Sequence, residues 1–292
     1  LTTRFLKPPT HAVKLKMVSA QEQDEIEQRK AQIETPPQII TPTRKSLELI
    51  PKPFAWCDIP SGKVKLIPNV YGKQHSYLRT DTRFSVDAFQ MSKYPITNSQ
   101  FDVFIYHADG YQNPAWWDFS DEAKAWRNNN LKPQNTGFAG DTMPRTNVSW
   151  YEAVAFCRWM SVQTEENITL PTEQQWQWAV QGNNGHAYPW GNTFNDNWCN
   201  TKESGIGKTT PVTQYEGKGD SPFGVVDMSG NVWKWCLTEY ETANGDLREN
   251  KFNVLRGGSW NSDKSLARNF YRHNGVPYYR HSDVGFFIVC NP

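Results

Sequence analysis

Thiols, imidazoles and hydroxyls are the groups through which this chain could do chemistry, and their spacing argues against most of it. The five cysteines, Cys57, Cys157, Cys199, Cys236 and Cys290, are odd in number, scattered, and without a CxxC pair. They therefore match neither a zinc ribbon nor a dithiol redox motif. Six histidines, His11, His75, His107, His186, His273 and His281, include no HxxxH or HExxH spacing, the pattern that puts two zinc ligands on one helix face. No GxSxG elbow and no GxxxxGK[ST] loop occurs, which removes the obvious acyl-transfer nucleophile and phosphate cradle. The Gly257-Gly258 pair reads as backbone needing room or a positive φ.

What remains is a contact surface. From Val254 to Val289 the chain reads VLRGGSWNSDKSLARNFYRHNGVPYYRHSDVGFFIV. Rigid-looking ends, Arg256–Trp260 and Val284–Phe286, enclose an interior with neither strand alternation nor a helical stripe. That interior is rich in Asn, Ser, Asp, His, Tyr, Gly and Arg, the residue types of contact surfaces. Asn261, Ser262 and Asp263, then His273, Asn274, Gly275 and Val276, then His281, Ser282 and Asp283 are expected to face a ligand. Tyr271, Tyr278, Tyr279 and Phe270 would supply an aromatic patch, with Tyr271 and Tyr279 counted among the ligand contacts. Arg268, Arg272 and Arg280 are expected to be framework residues paired with carboxylates, and Phe270 and Phe286 to be core. His273, His281 and Asp283 can meet in space, but as neighbours in a polar loop they read as solvated groups. Trp116, Trp117, Trp150, Trp190, Trp198, Trp233 and Trp235 read as core anchors; a sugar platform is the alternative, since sugars also stack on exposed aromatics.

The elements that hold this stretch are legible upstream. Residues 1–52 are Pro-rich and poorly patterned; a short helix is possible at 21–34, where only Ile26 and Ile33 are large and apolar. They read as an extension, or as a linker from an upstream domain. The folded domain is expected over 53–292, with strands at 64–68 and 84–89. Thr97/Gln100, Ser149/Glu152 and Thr172/Gln175 each form the Ser/Thr-x-x-Glu/Gln capping box of a helix start, and Pro95 and Pro171 bar earlier starts for two of these helices. The first helix should bury Phe101, Phe104 and Ile105; the second Ala153, Phe156, Cys157 and Met160; the third Trp176, Ala179 and Val180. From 182 to 253 helix signals almost vanish, leaving loop and short strand. The fold class is α+β.

Composition sets the outer limits. Lys+Arg total 31 against 30 Asp+Glu, for a net charge of +1; no dedicated nucleic-acid or acidic-membrane surface follows. Aromatics make up 14% with 13 Trp, beside 19 Gly and 19 Pro, which describes aromatic anchors under long irregular loops. No apolar run approaches the ~20 residues of a membrane span. Unpaired cysteines and no visible signal favour a cytoplasmic, reducing compartment.

Six phrases, taken together, resemble the formylglycine-generating-enzyme (sulfatase-modifying-factor) domain family. They are Lys93-Tyr94-Pro95-Ile96-Thr97-Asn98-Ser99-Gln100-Phe101, Pro144–Trp150 (PRTNVSW), Leu170–Trp176 (LPTEQQW), Tyr188-Pro189-Trp190-Gly191, Gly224–Trp233 (GVVDMSGNVW) and Arg256–Trp260 (RGGSW). They run in order over roughly 58–290. The resemblance implies a variant of the C-type-lectin fold, loop-rich with a small twisted sheet and a few helices. In the family's enzymes, two cysteines five residues apart, just after the RGGS phrase, hold the copper that oxidises a substrate cysteine; soft sulfur selects Cu(I). The corresponding positions are Ser262 and Ala267, so no copper chemistry and no enzyme is expected. The family also binds structural calcium. The corresponding residues are Asp227, Gly230 and Val232, with Lys234 where a carboxylate is expected, and Asn200, Thr201, Ser204 and Ile206. Because the Lys234 ammonium can replace the ion, no cofactor is expected, structural calcium being the less favoured reading.

The C-terminal segment is also similar to the variable proteins of diversity-generating retroelements, whose variable region runs from RGGSW to a GF phrase, here 256–286. Randomising template adenines in Asn-type codons cannot yield Lys, Glu, Gln, Met or Trp, and none occurs in the three polar groups or at Tyr279. The resemblance implies a non-enzymatic protein that displays a diversified surface to an unidentified macromolecular ligand, a protein. The alternative is an enzyme of the family acting through another site, or an accessory domain of a signalling or effector protein joined through residues 1–52.

Overall fold

The computed structural model describes residues 44–68, 77–78, 80–248 and 251–292; the helix expected at 21–34 lies outside them. A first helical turn, α1 (Lys45–Leu49), belongs to the packed body although the sequence places it in an extension. Ser46 is fully buried, its hydroxyl 3.1 Å from Glu166 Oε1 and accepting the Trp56 indole N–H at 3.0 Å, and Ile50 joins the core. Next come β1 (Trp56–Ile59), β2 (Gly62–Leu66), β3 (Thr82–Val86) and β4 (Phe89–Ser92). The single strand expected at 84–89 is therefore two, parted at Asp87-Ala88.

Helices α2 (Asn98–Tyr106) and α3 (Asp121–Asn129) precede the central α4 (Trp150–Thr164); β5 (Asn167–Thr169) and α5 (Glu173–Gln181) follow. The capping boxes of α2, α4 and α5 form as expected, with reciprocal bonds that satisfy amides no helix turn can reach. Helix α4 buries Ala153, Phe156, Cys157 and Met160, but also Trp150, Val154 and Trp159. A helix apolar on nearly every side sits inside the fold rather than on it. Ile105 of α2 is only half-buried.

The remaining strands are β6 (Trp233–Glu239), β7 (Asn253–Arg256), β8 (Arg272–Gly275), β9 (Val284–Phe286) and β10 (Val289–Asn291). One sheet runs β1-β4-β10-β5, a second β8-β7-β6-β9, and β2-β3 forms a hairpin. Strand β8 lies within the interior that the sequence reads as strandless; its four residues are too few for alternation to show. Tryptophans brace α4 against β6: Trp150 Nε1 donates to the Cys236 carbonyl at 2.9 Å, and Trp235 Nε1 to that of Val148 at 3.1 Å. Phe286 of β9 packs edge-on against Phe101 and Phe156, at ring distances of 6.1 and 5.6 Å. The polar segment is thus pinned at its far end to the aromatic centre of the fold. All five cysteines are buried and unpaired; burial pushes the Cys57 thiol up to about 11 and that of Cys199 to about 12, which suppresses their thiolates.

Candidate ligand-binding surface

The frame of the segment is built from buried charge. Arg256 and Arg272 lie directly opposite each other across β7 and β8, and both reach Glu173, the first residue of α5. Arg272 grips it with two bonds, Nε to Oε1 at 2.5 Å and Nη2 to Oε2 at 2.8 Å, while Arg256 Nη1 approaches Oε1 at 3.2 Å. All three side chains have zero exposure. Burial by itself raises the Glu173 carboxyl, but Arg272 and Arg256 outweigh it and hold it below the usual carboxylate range. Burial lowers Arg256, whereas at Arg272 the carboxylate overcomes burial and raises it; the geometry likewise assigns the carboxylate mainly to Arg272. The Arg256 guanidinium compensates by lying over the Trp176 ring, 4.6 Å from its centre, and donating to the Asn269 carbonyl at 2.8 Å.

Arg280 repeats the device at the start of α4. It bonds Glu152 through Nε at 2.8 Å and Nη2 at 2.5 Å and covers the Trp126 ring at 4.7 Å. Glu152 therefore closes a helix cap and holds the surface segment at once. The carboxylate pairing expected of Arg272 and Arg280 is present. Arg268 differs: it is exposed, lies over Phe270 at 5.8 Å and hydrogen-bonds Tyr188. Phe286 is core as expected, but Phe270 is only half-buried, because the loop carrying it packs on the outside of the fold.

On this frame the three polar groups converge. Asp283 accepts from the Ser259 hydroxyl at 2.8 Å and pairs with His281 Nδ1 at 2.5 Å. The Ser262 hydroxyl lies 3.1 Å from that of Ser259 and accepts the Ser259 N–H. The Asp283 carbonyl accepts from Trp233 N at 2.8 Å, and the Trp233 ring sits 5.2 Å from His273 and 6.0 Å from Tyr271. Tyr279 lies parallel to His281 at 5.7 Å. Asn261, Asp263, His273 and Tyr279 are exposed; Tyr271, Asn274, Gly275, Val276, His281 and Ser282 are half-buried. Two expectations are corrected. Ser262 at 4% exposure and Asp283 at 8% are buried props whose polar atoms are consumed beneath the surface. Tyr278, at 60%, is the most exposed of the four aromatic residues expected to form a patch.

Sequence reasoning missed Trp260 and the loop near Phe138 as neighbours of this surface. Their rings meet edge-on at 5.5 Å, and Trp260 Nε1 donates to the Ser282 carbonyl. Nothing local in the 130–141 loop signals that role. Among the tryptophans read as core anchors, Trp190 is half-buried and Trp198 is exposed at 36%, the two meeting edge-on at 5.9 Å.

The expected cation position holds an ammonium. Lys234, fully buried, donates to the Gly230 carbonyl at 2.6 Å and the Met228 carbonyl at 3.3 Å. Gly230 has φ +83°, and a Cβ there would stand 2.4 Å from the Asn200 carbonyl oxygen, so the turn accepts only glycine. In the second set, Asn200 and Thr201 are buried and Ile206 is exposed; the Ser204 hydroxyl lies 2.7 Å from the Thr201 carbonyl and 3.1 Å from Asn200 Oδ1. Val232 is buried and Asp227 Oδ2 accepts from Asn231 at 2.7 Å. No group of three His, Cys, Asp or Glu side chains able to hold a metal occurs among the described residues. Burial raises Asp227 and lowers Lys234, each opposed by the other's charge.

That pair carries one proton in total whether it is ionic or neutral, as the unfolded pair does between the carboxylate and lysine ranges, so it adds no pH dependence there. Asp227→Asn removes the partner and leaves Lys234 with a lowered folded value. The folded state then binds one proton fewer than the unfolded state, from that value up to about 10.4. Stability should fall by about 1.4 kcal/mol for each pH unit of acidification through that window. Urea unfolding of Asp227→Asn across it checks this slope; a variant that tracks the unsubstituted protein at every pH contradicts it.

The pattern of the Sulfatase-modifying factor enzyme 1-like domain matches residues 56–292. Uncharacterized protein YfmG of Bacillus subtilis is 27% identical over 281 residues, covering 84% of this chain and 51% of that protein. The Inactive C-alpha-formylglycine-generating enzyme 2 of Bos taurus is 33% identical over 159 residues, covering 49% of this chain and 48% of that protein. The chain spans about half the length of these curated relatives. Among solved structures, Treponema denticola variable protein 1 superposes with a TM-score of 0.60 at 21% identity, over 82% of this chain and 95% of that one. The shared fold is the C-type-lectin-like one expected from the sequence. The chain belongs to the Sulfatase-modifying factor enzyme 1-like domain family.

Proposed function

We propose that this chain is a non-enzymatic binding protein, displaying residues 256–286 as a diversified surface to a protein ligand. The observation that carries the reading is a division of labour within one segment. Arg256, Arg272, Arg280 and Asp283 are spent on buried partners, while Asn261, Asp263, His273 and Tyr279 stand exposed. Tyr, His and Asn on a stiff support give contact area at small ordering cost. The resemblance to retroelement variable proteins fits the same boundaries. Ser262 and Ala267, at the positions of the copper-holding cysteines, are both buried and carry no thiol; with them the family's cysteine oxidation has no metal ligands. The Lys234 ammonium on the Gly230 carbonyl supports a chain without calcium at that position. Five unpaired buried thiols suit a reducing compartment.

The reading predicts that the neighbouring DNA holds a near-repeat of the 256–286 coding segment, with adenines in the codons of the exposed positions, beside a reverse transcriptase. A complete genomic sequence without such a repeat removes the diversification claim. It also predicts a split in tolerance. Substituting Asn261 or His273 by Ser should change unfolding free energy by no more than about 0.5 kcal/mol. Asp283→Ala, which removes the carboxylate that accepts from the buried Ser259 hydroxyl, should cost about 1.5–3 kcal/mol, the range for a hydrogen bond to a charged group. Equal costs at both kinds of position, measured by urea unfolding, contradict the division.

A further inference from the structure

A cavity of about 440 Å³ opens on the sheet β1-β4-β10-β5, built from residues outside 256–286. Register sets Asp58, Gln90 and Cys290 in one row across three strands, and all three line it. Arg44, just ahead of α1, lines it as well and hydrogen-bonds the Cys290 thiol. Two polar atoms of these residues are buried with no hydrogen-bond partner, Arg44 Nη1 and Gln90 Oε1. Gln90 uses its other amide atom on Asp58 Oδ1, at 2.5 Å. An unused cationic donor and an unused neutral acceptor therefore belong to two side chains that line one cavity, whose remaining wall includes the apolar Pro60, Ala88 and Pro292. Cavities of a few hundred Å³ with an apolar wall and a few convergent polar groups are the usual form of a small-ligand site.

We propose that this cavity binds an apolar N-acylated amino-acid carboxylate, the group that a peptide C-terminus presents. The carboxylate pairs with Arg44, whose guanidinium matches it in shape and charge. The amide N–H donates to Gln90 Oε1, and the apolar side chain lies along Pro60, Ala88 and Pro292. Small rotations of Arg44 and Gln90 turn their unused atoms toward the occupant. Asp58, held beside Gln90, selects against dianions such as phosphate and leaves a monocarboxylate favoured. This site is independent of the proposed surface, and its failure would leave that surface untouched.

The probe is N-acetyl-leucine, titrated into the full chain and followed by amide nitrogen–proton correlation spectra. Saturable shifts at Gln90, Cys290 and Asn291 are expected, in the millimolar range that suits so small a ligand. N-acetyl-leucinamide, which lacks the carboxylate, and 4-methylpentanoate, which lacks the amide, should each bind at least about tenfold more weakly, as should N-acetyl-leucine to Arg44→Gln. No saturable shift up to about 20 mM, far above that range, overturns the proposal. So does equal binding of the acid and its amide by the unsubstituted protein, a comparison that needs no variant to fold. Free leucine binding as tightly as its acetylated form overturns the assignment to acylated termini.

Discussion

One buried carboxylate, Glu173, sets the position of both strands that carry the polar segment. Two guanidiniums at zero exposure share it, and without it both would be buried charges lacking a counter-ion. Removing one member of such a cluster leaves an uncompensated buried charge, a loss of about 3–5 kcal/mol and a large share of a domain's net stability. The cluster is not an efficient way to gain stability, because apolar side chains of the same volume would avoid the desolvation cost. Its effect is register: a planar two-point grip on Arg272 fixes where β8 lies against β7, and a slip of one residue would turn every side chain over.

The same logic recurs along the segment. Arg280 is fixed by Glu152, and Asp283 by Ser259. Each bond takes a charged or polar atom out of play beneath the surface, while Asn261, His273 and Tyr279 stay exposed above it. Exposed residues can then change without disturbing the frame, which is what a diversified contact surface requires. The tight carbonyl turn around Lys234 extends the frame on the other side, where a side-chain ammonium serves a position that suits a cation.

Much of this was legible beforehand, for identifiable reasons. The capping boxes at Thr97, Ser149 and Thr172 are local chemistry, and they formed as read. Phe286 was readable as core from its apolar run, and Arg272 and Arg280 as framework because buried arginines need carboxylates. Which carboxylates was not legible, since Glu152 and Glu173 lie 128 and 99 residues away in sequence. Ser262 and Asp283 were misread because small polar residues in a polar run look the same whether they face a ligand or support the backbone beneath it. Strand β8 was missed because pairing with β7, not its own alternation, makes it a strand. The burial of Ser46 and Ile50 depends on α4 and, for Ser46, on Glu166, which nothing near residue 46 announces.

The central claim is that residues 256–286 are a rigid frame bearing exposed side chains, not a flexible loop. Amide hydrogen exchange on the full chain tests it most directly. The backbone amides of Trp260, Ser262, Asn269 and Tyr271, each bonded to a carbonyl, should exchange at least about a thousandfold more slowly than in an unstructured peptide, in step with the core strands. Exchange of these amides at peptide-like rates while β6 stays protected would contradict the account.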